Sequence, residues 1–485
     1  MRARLFEHRV FLPLLLLAAV LRVVTMLGYQ SVMWFPDSYD YVGAAQRMEP
    51  GLIRPSGYPL LLWLVEDLHS LVVVAALQHL MGLGVAVMIY GLLRRRFGAP
   101  GWVASLAAVP VLFDAFQIQL EHMVLSDTLF VFLVVAAVCV LMGERLGTRQ
   151  AALAGSLLGL AALTRSVGIP LLMIGVVYLA VRRAGWRPVV TLVATCALPI
   201  VCYLQWYNAH HGRLELTRSS GVFLYSRSMA FADCEKMRPP AEEMPLCVAA
   251  DPDNRKAAGS YVWGPFAPVR RIPGGAFNEE QNRLAGSFAK RAMLAQPGDY
   301  LRIVAIDVAR TFQWGHPVYP EEFTYSHYLF RDTAVRPPEH VIPTLQAYQP
   351  GRVTTKVVDP YAGFMQGYQR HVYLRGSVLG LILAAGLAWA FAGRRRGAGV
   401  ALLPWSLSGV LIVVPAATAQ FDYRYALAAV PLACLAAGAA FCRGGRGAPG
   451  AAAPSAGPED APADRDTADA AGASESREES PVGVS

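Results

Sequence analysis

Residues 70–93 read SLVVVAALQHLMGLGVAVMIYGLL, an apolar run that ends directly before Arg94-Arg95-Arg96. No acidic residue, lysine or arginine interrupts the run. A helix of about 20 such residues is long enough to cross the roughly 30 Å hydrocarbon layer of a bilayer. A basic cluster directly after an apolar run is typical of a helix end on the cytoplasmic side. This stretch therefore predicts a transmembrane helix and decides the class of the fold.

Further apolar runs resemble this one along the chain. They occupy residues 10–28, 101–118, 124–142, 151–163, 167–181, 188–206, 373–392, 399–418 and 425–441. The composition agrees, with 54% hydrophobic and 16% charged residues and a mean hydropathy of +0.36. We expect an all-α polytopic membrane protein of about ten transmembrane helices. The runs 151–163 and 167–181 are short, so they form either one tight hairpin or segments partly outside the membrane core.

The net charge of +8 comes from short basic clusters between the apolar runs. Such clusters set the orientation of a membrane protein, so we do not expect this protein to bind nucleic acid. Short connections on the side of the N-terminus carry 16 arginines and lysines. The opposite short connections carry only Arg47, Arg54, Arg165 and Arg424. This asymmetry predicts a multi-pass protein of the inner (plasma) membrane with both termini in the cytoplasm.

The order of apolar and polar stretches divides the chain into parts. We expect an N-terminal transmembrane module, an extracytoplasmic mixed loop domain, a final group of spans and a cytoplasmic tail. Their bounds are 1–206 (including the first outer loop at 29–69), 207–372, 373–442 and 443–485. The tail is rich in Ala, Gly, Pro, Ser and acidic residues, a composition typical of disorder. The chain lacks phosphate-loop and dinucleotide-binding motifs, which argues against an ATP-driven transporter and a nicotinamide enzyme.

The extracytoplasmic segment contains two local signals. An amphipathic pattern predicts a helix at about 278–296. Cys234 and Cys247 lie in a polar, proline-rich stretch on the oxidising side of the membrane. We favour a disulfide between them, and the alternative is a pair of free thiols.

Two carboxylates stand just after the first span. The first outer loop reads WFPDSYDY at 34–41, which contains Asp37 and Asp40, and continues to RPSGYP at 54–59. A carboxylate at the membrane face can act as a general base on an acceptor hydroxyl or hold a divalent cation such as Mg²⁺ or Mn²⁺. The alternative is that Asp37 only caps a helix beginning at Ser38 or Tyr39.

Other polar side chains gather at the outer ends of spans. One short outer loop holds Asp114, Gln119, Glu121, His122 and Asp127, without a basic residue. This loop either lines a substrate pocket or is a solvated interfacial turn.

Two arginines stand at the outer mouths of other spans. Arg165 and Arg424 could hold a lipid phosphate, because a guanidinium group binds phosphate oxygens in a bidentate manner. Their alternative role is to reach out to lipid headgroups.

Several of these motifs occur in an order that resembles the C-type superfamily of integral-membrane glycosyltransferases. The resemblance is closest to the branch with protein mannosyltransferases and aminoarabinose transferases, and covers about residues 5–206 and 373–440. It rests on the stretches around Asp37 and Arg54, then on Gln78, Arg94-Arg95-Arg96-Phe97-Gly98, Leu125-Ser126-Asp127-Thr128-Leu129-Phe130, Leu163-Thr164-Arg165, Asp422-Tyr423-Arg424-Tyr425 and Pro431.

The resemblance implies an enzyme that takes a sugar from a polyprenyl-phosphate carrier and transfers it to an extracytoplasmic acceptor. Asp37 maps onto the family's essential acidic residue. Many relatives have a second acid where this chain has Ser38, which leaves Asp40 as a second candidate and metal dependence open. The residues we assign to the substrate pocket are Tyr41, Arg54, Tyr58, Glu121, His122 and Asp127.

A lipid-linked-sugar flippase is the main alternative, and it predicts ionisable residues near the middle of spans. A non-enzymatic envelope scaffold is a third alternative, but it gives the acidic motif no purpose beyond capping. The transferase hypothesis places the polar residues at the outer ends of spans, where a lipid phosphate and a water-soluble acceptor can meet.

Overall fold

The computed structural model describes residues 8–144, 146–392 and 398–441, and nearly all regular structure in them is helical. The expected all-α polytopic membrane fold is confirmed. The predicted disordered tail at 443–485 lies outside the described residues.

The first part of the chain alternates long apolar helices with short outer ones. Its elements are α1 (Phe11–Gly28), β1 (Tyr29–Gln30), α2 (Pro36–Arg47), α3 (Gly57–Leu64), α4 (Leu71–Phe97), α5 (Gly101–Phe113), α6 (Ala115–Glu121), α7 (Asp127–Leu141), α8 (Thr148–Thr164), α9 (Gly168–Val181) and α10 (Trp186–His211). The runs 151–163 and 167–181 form two separate helices, α8 and α9. Helix α4 ends at Gly98, whose φ of 61° favours glycine.

The middle segment contains shorter helices. They are α11 (Ser220–Ser228), α12 (Cys234–Met237), α13 (Ser260–Trp263), α14 (Glu279–Ala295), α15 (Pro297–Arg310), α16 (Glu322–Ser326) and α17 (Ile342–Tyr348), followed by β2 (Lys356–Val357) and α18 (Tyr361–His371). The amphipathic helix predicted at 278–296 is confirmed as α14.

Residues 220–310 form a lobe with its own apolar core, in which Tyr225 and Phe288 are fully buried. We call it the outer lobe, after the side of the membrane on which the sequence predicts it. A disulfide joins Cys234 and Cys247 in this lobe, the pair that the sequence favours.

The chain ends its described part with three apolar helices, α19 (Gly376–Ala392), α20 (Ala398–Thr418) and α21 (Tyr423–Phe441). By length and composition, α1, α4, α10, α20 and α21 can each cross a membrane. Helix α5 makes an angle of 59° with α6, and α18 makes an angle of 56° with α19. Each pair counts as one further membrane span if its two helices together form a broken span. Helices α7 and α9 are apolar but shorter.

Two backbone contacts fix the first outer loop. Strand β1 pairs antiparallel with β2, with Tyr29 opposite Val357 and Gln30 opposite Lys356. Further along, Met33 forms a bridge with Met123, and its amide donates to the His122 carbonyl at 3.0 Å. The first outer loop is therefore held between the middle segment and the loop after α6.

Candidate active site

Asp37 lies in the first turn of α2, which begins at Pro36 and not at Ser38 or Tyr39. The side chain of Asp37 forms no cap, so the capping interpretation is wrong. The residue is 8% exposed. Arg54 Nη2 donates to Oδ1 of Asp37 at 2.6 Å, and Arg424 Nη1 donates to Oδ2 at 3.1 Å. One carboxylate therefore receives two guanidinium groups, one from the first outer loop and one from α21.

Each of these arginines also contacts a second acid. Arg54 Nη1 donates to Oδ2 of Asp40 at 3.0 Å. Arg424 Nε lies 3.4 Å from Oδ2 of Asp422, and the Tyr328 hydroxyl donates to the same oxygen at 2.9 Å. Because each guanidinium has an alternative carboxylate, neither depends on Asp37 alone for its charge partner.

Aromatic rings surround the Arg424 guanidinium. Its central carbon lies 4.7 Å from the centroid of the Phe35 ring and 5.2 Å from that of Tyr425. Such contacts attract a cation electrostatically while keeping water away. The ring of Tyr41 lies beside the other arginine, with 5.8 Å between its centroid and the guanidinium carbon of Arg54.

Arg165 follows the C-terminal end of α8 and forms an ion pair with Asp127. Its guanidinium carbon lies 4.8 Å from the Tyr425 ring centroid, so one aromatic ring contacts both Arg165 and Arg424. Asp127 is 1% exposed, and its Oδ2 has no hydrogen-bond partner among the described residues. The structure thus brings Arg165, Arg424, Asp37 and Asp127 into one cluster.

The charges around Asp37 decide its protonation state. Burial by itself would raise the pKa of Asp37, but Arg54 and Arg424 outweigh it and hold that pKa below its usual value. Burial raises the pKa of Asp40, with Arg54 opposing. Asp37 is therefore an anion, and while both arginines hold it, it is a weak base.

Tyr41 and Tyr58 connect the site to the membrane helices. The Tyr41 hydroxyl lies 3.0 Å from Ser126 Oγ, and the Tyr41 ring meets the edge of Tyr58 at 5.1 Å. Tyr58 then donates to Oε1 of Gln78 in α4 at 2.8 Å. Tyr41 contacts Arg54 of the site directly. Tyr58 does not reach the arginine itself but packs against Tyr41 and supports it.

Glu121 and His122 belong to a different, buried network. Both are fully buried, so the solvated-turn interpretation is wrong for them. Arg22 in α1 donates from Nε to Oε2 of Glu121 at 2.9 Å and from Nη2 to Oε1 at 3.0 Å. His79 in α4 joins the two, with Nδ1 3.1 Å from Glu121 and Nε2 3.1 Å from His122. These contacts join α1, α4 and α6, and none of them reaches Asp37.

Sequence reasoning missed Arg22, whose signal was a lone charge within the apolar run 10–28. A charge in such a run needs a buried partner, and Glu121 supplies it. Asp422, Tyr328 and Phe35 were also missed as site residues. Asp422 and Phe35 stand in two of the motifs quoted above, but a motif does not show which side chains contact each other, and the contacts of Phe35 and Tyr328 lie far away in the chain.

The residues around Asp37 do not fit a divalent cation in this arrangement. Both Asp37 oxygens accept hydrogen bonds from guanidinium groups, and Asp40 shares Arg54. Within the described ranges, no group of three or more His, Cys, Asp or Glu side chains could hold a metal ion. The hydrogen-bond donors at this site are guanidinium cations, so the site suits an anion with several oxygen atoms, such as a phosphate.

No family model matches this sequence, and comparison with curated proteins gave no match. Solved structures do match. The S. cerevisiae protein O-mannosyltransferase Pmt1-Pmt2 complex bound to the sugar donor has 18% identity and a TM-score of 0.31, over 47% of this chain and 38% of that one. ArnT from Cupriavidus metallidurans bound to undecaprenyl phosphate has 14% identity and a TM-score of 0.36, over 87% and 77%.

An Archaeoglobus fulgidus oligosaccharyltransferase tethered with an acceptor peptide has 12% identity and a TM-score of 0.42, over 90% of this chain and 50% of that one. This chain thus spans about half of the archaeal protein and 38% of the yeast chain. All three are glycosyltransferases, the class that the sequence motifs resemble. With TM-scores of 0.31 to 0.42, these matches carry no argument about the site, and its chemistry rests on the residues of this chain.

Proposed function

We propose that this protein is a membrane glycosyltransferase that moves a sugar from a polyprenyl-phosphate donor to an extracytoplasmic acceptor, a glycan, lipid or protein of the cell envelope. The observation that carries the proposal is the Asp37 carboxylate held between Arg54 and Arg424. An anion-binding pair of arginines next to a carboxylate is the arrangement that a phosphate leaving group and an acceptor hydroxyl require.

In this proposal Arg165 and Arg424 hold the donor phosphate, with Arg54 at its edge. The phosphate takes the place of Asp37 on Arg424 and Arg54, since both anions need the same nitrogen atoms of these two side chains. Asp37 loses its cationic partners, and its pKa rises toward the range in which it can accept a proton. Donor binding therefore prepares the base.

The transfer step then balances without a further reactant. The acceptor oxygen forms a bond to the anomeric carbon, and the bond from that carbon to the phosphate oxygen breaks with its electron pair on the phosphate. The acceptor proton passes to Asp37. The arginines stabilise the negative charge that develops on the departing lipid phosphate.

The predicted side of the membrane on which these residues lie supports the same function. Asp37, Arg54, Arg165 and Arg424 belong to the connections that the distribution of basic residues assigns to the outer face. A carrier lipid can reach them laterally from the bilayer, so the donor needs no nucleotide-binding domain. We propose that the N- and C-termini lie in the cytoplasm and that the acceptor approaches from the opposite side.

The flippase alternative predicts ionisable residues near the middle of spans. Arg22 and His79 are such residues, but they are buried and bonded to Glu121. A transport path needs ionisable groups that face a cavity, so this network does not favour transport.

We expect purified wild-type protein to release sugar from at least one member of a panel of radiolabelled polyprenyl-phosphate sugars when an acceptor extract is supplied. Asp37→Asn should lower the rate by at least about 100-fold, since a positioned base contributes about 10² to 10⁴. The matched control is Asp67→Asn, an exposed acid of the same outer loop, which should keep full activity.

Thermal melts establish that both variants are folded. Retained transfer in a folded Asp37→Asn protein would refute the role of Asp37. An inactive wild type that moves labelled carrier lipid across liposomes would instead support the flippase.

A further inference from the structure

Asp307, in the last turn of α15, is a buried carboxylate without a part in the proposed chemistry. It is 3% exposed. Its Oδ2 accepts from Arg227 Nη1 at 2.8 Å and from the backbone amide of Phe421 at 3.1 Å. Its Oδ1 lies 3.3 Å from Arg310 Nε. One oxygen atom therefore joins α11 of the outer lobe to the segment that leads into α21.

The partner in the lobe is itself unusual. Arg227 is 1% exposed, and its Nε and Nη2 have no hydrogen-bond partner among the described residues. A buried and incompletely satisfied ion pair adds little stability compared with apolar side chains of the same size. What such a pair can add is a fixed geometry between the elements that it joins.

The fixed segment leads directly to the site. Asp422 follows Phe421, and its Oδ1 accepts from the Arg424 amide at 3.2 Å. Its Oδ2 lies 3.4 Å from Arg424 Nε and accepts from the Tyr328 hydroxyl. Arg424 in turn donates to Asp37. Asp422 thus contacts both the backbone amide and the guanidinium of Arg424, and Asp307 holds the backbone of the preceding residue, Phe421.

We infer that Asp307 is a positioning residue through which the outer lobe sets the direction of Arg424 and so the affinity for the carrier phosphate. This inference rests on the proposed function, because it takes Arg424 as a ligand of the phosphate. It assigns the lobe a role that does not require contact with either substrate.

The test needs variants that fold. Asp307→Asn alone would leave the buried Arg227 without a charge partner, and removing one member of a buried pair is strongly destabilising. We therefore combine each change with Arg227→Met. Asp307→Asn with Arg227→Met keeps a side-chain oxygen that can accept from the Phe421 amide. Asp307→Leu with Arg227→Met has nearly the same size and removes that acceptor.

Binding of radiolabelled undecaprenyl phosphate to the full-length protein in detergent is the first measurement. We expect the Leu double variant to bind about tenfold more weakly than the Asn double variant, a typical effect of one lost acceptor. At saturating donor the two should share one kcat and differ in donor KM. The lobe control is Glu243→Gln, a buried acid that pairs with Arg291 of α14 and takes no part in the link from Arg227 through Asp307 to Phe421, so this variant should bind like wild type.

Equal affinities of the two double variants, at equal melting temperatures, would overturn the inference and leave the proposed function intact. A wild-type protein that does not bind undecaprenyl phosphate would overturn both. Wild-type lipid binding by the Asn double variant, together with weaker lipid binding by the Leu double variant, would support the positioning role, since a merely structural defect would affect the two variants equally.

Discussion

At the scale of single residues, the proposed function makes Asp37 and the donor phosphate competitors for the guanidinium of Arg424 and, at the edge of the phosphate, for that of Arg54. We predict that Asp37→Asn, although inactive in transfer, binds undecaprenyl phosphate more tightly than wild type, by about tenfold, because a neutral amide competes poorly for Arg54 and Arg424. The variant should fold, since Arg54 keeps Asp40 and Arg424 keeps Asp422. The measurement is the Kd for the labelled lipid.

The dependence of this effect on pH follows from the pKa of Asp37. The arginines hold that pKa below its usual value. Without bound donor, the carboxylate therefore stays ionised as the pH falls from 7 to 5, and its ion pairs are lost only below the pKa of the free side chain. Phosphate binding takes the arginines from Asp37 and raises its pKa, so the wild-type complex takes up a proton as the pH falls, and the affinity ratio between variant and wild type should decrease. Weaker binding by Asp37→Asn at pH 7 would show that Asp37 assists the phosphate instead of competing with it.

At the scale of elements, two glycines of α4 provide a matched pair. A Cβ atom on Gly82 would overlap with the carboxylate of Glu121, whereas a Cβ atom on Gly91 would meet nothing within 4 Å. We predict that Gly82→Ala displaces Glu121 from Arg22 and destabilises the protein by about 3 kcal/mol, the cost of disturbing a buried ion pair.

Gly91→Ala should be neutral or more stable by up to about 1 kcal/mol, because alanine favours a helix. Thermal melts of both variants in one detergent measure the difference. Similar melting temperatures for the two variants would mean that the Arg22–Glu121 pair does not depend on the close approach of α4 to α6.

Helix positions were predictable from sequence because apolar runs are local signals. The runs 70–93 and 399–418 reappear as α4 and α20 within a few residues. The buried network of Arg22, Glu121 and His79 was not predictable, because each side chain lies on a different helix and its partner depends on packing. Asp37 was identified as important from its motif, but the motif could not reveal that two arginines hold it.

At the scale of the whole molecule, the orientation in the membrane remains a prediction from the arginine distribution. We predict that a membrane-impermeant maleimide labels Lys256→Cys, an exposed position of the outer lobe, in intact cells. Arg95→Cys, exposed at the end of α4, should react only after permeabilisation. Labelling of the unmodified protein gives the background from the native cysteines, and the reverse pattern would invert the proposed topology.

The outer lobe and the site also show where sequence reasoning reaches its limit in this molecule. The helix at 278–296 was predicted because its apolar residues recur with a helical period. The link from Arg227 through Asp307 to the Phe421 amide joins three parts of the chain that share no local pattern. Such links follow from tertiary packing, so only a structure reveals them.

The ion pair between Asp37 and Arg424 joins residues 387 positions apart in the chain. During synthesis, Asp37 leaves the ribosome long before α21 exists. Until α21 inserts, the nascent chain has Arg54 but not Arg424, and β1 must also wait for β2. The cluster around Asp37 is therefore completed only when α21 inserts, and a chain that stops short of α21 would carry the acidic motif without Arg424.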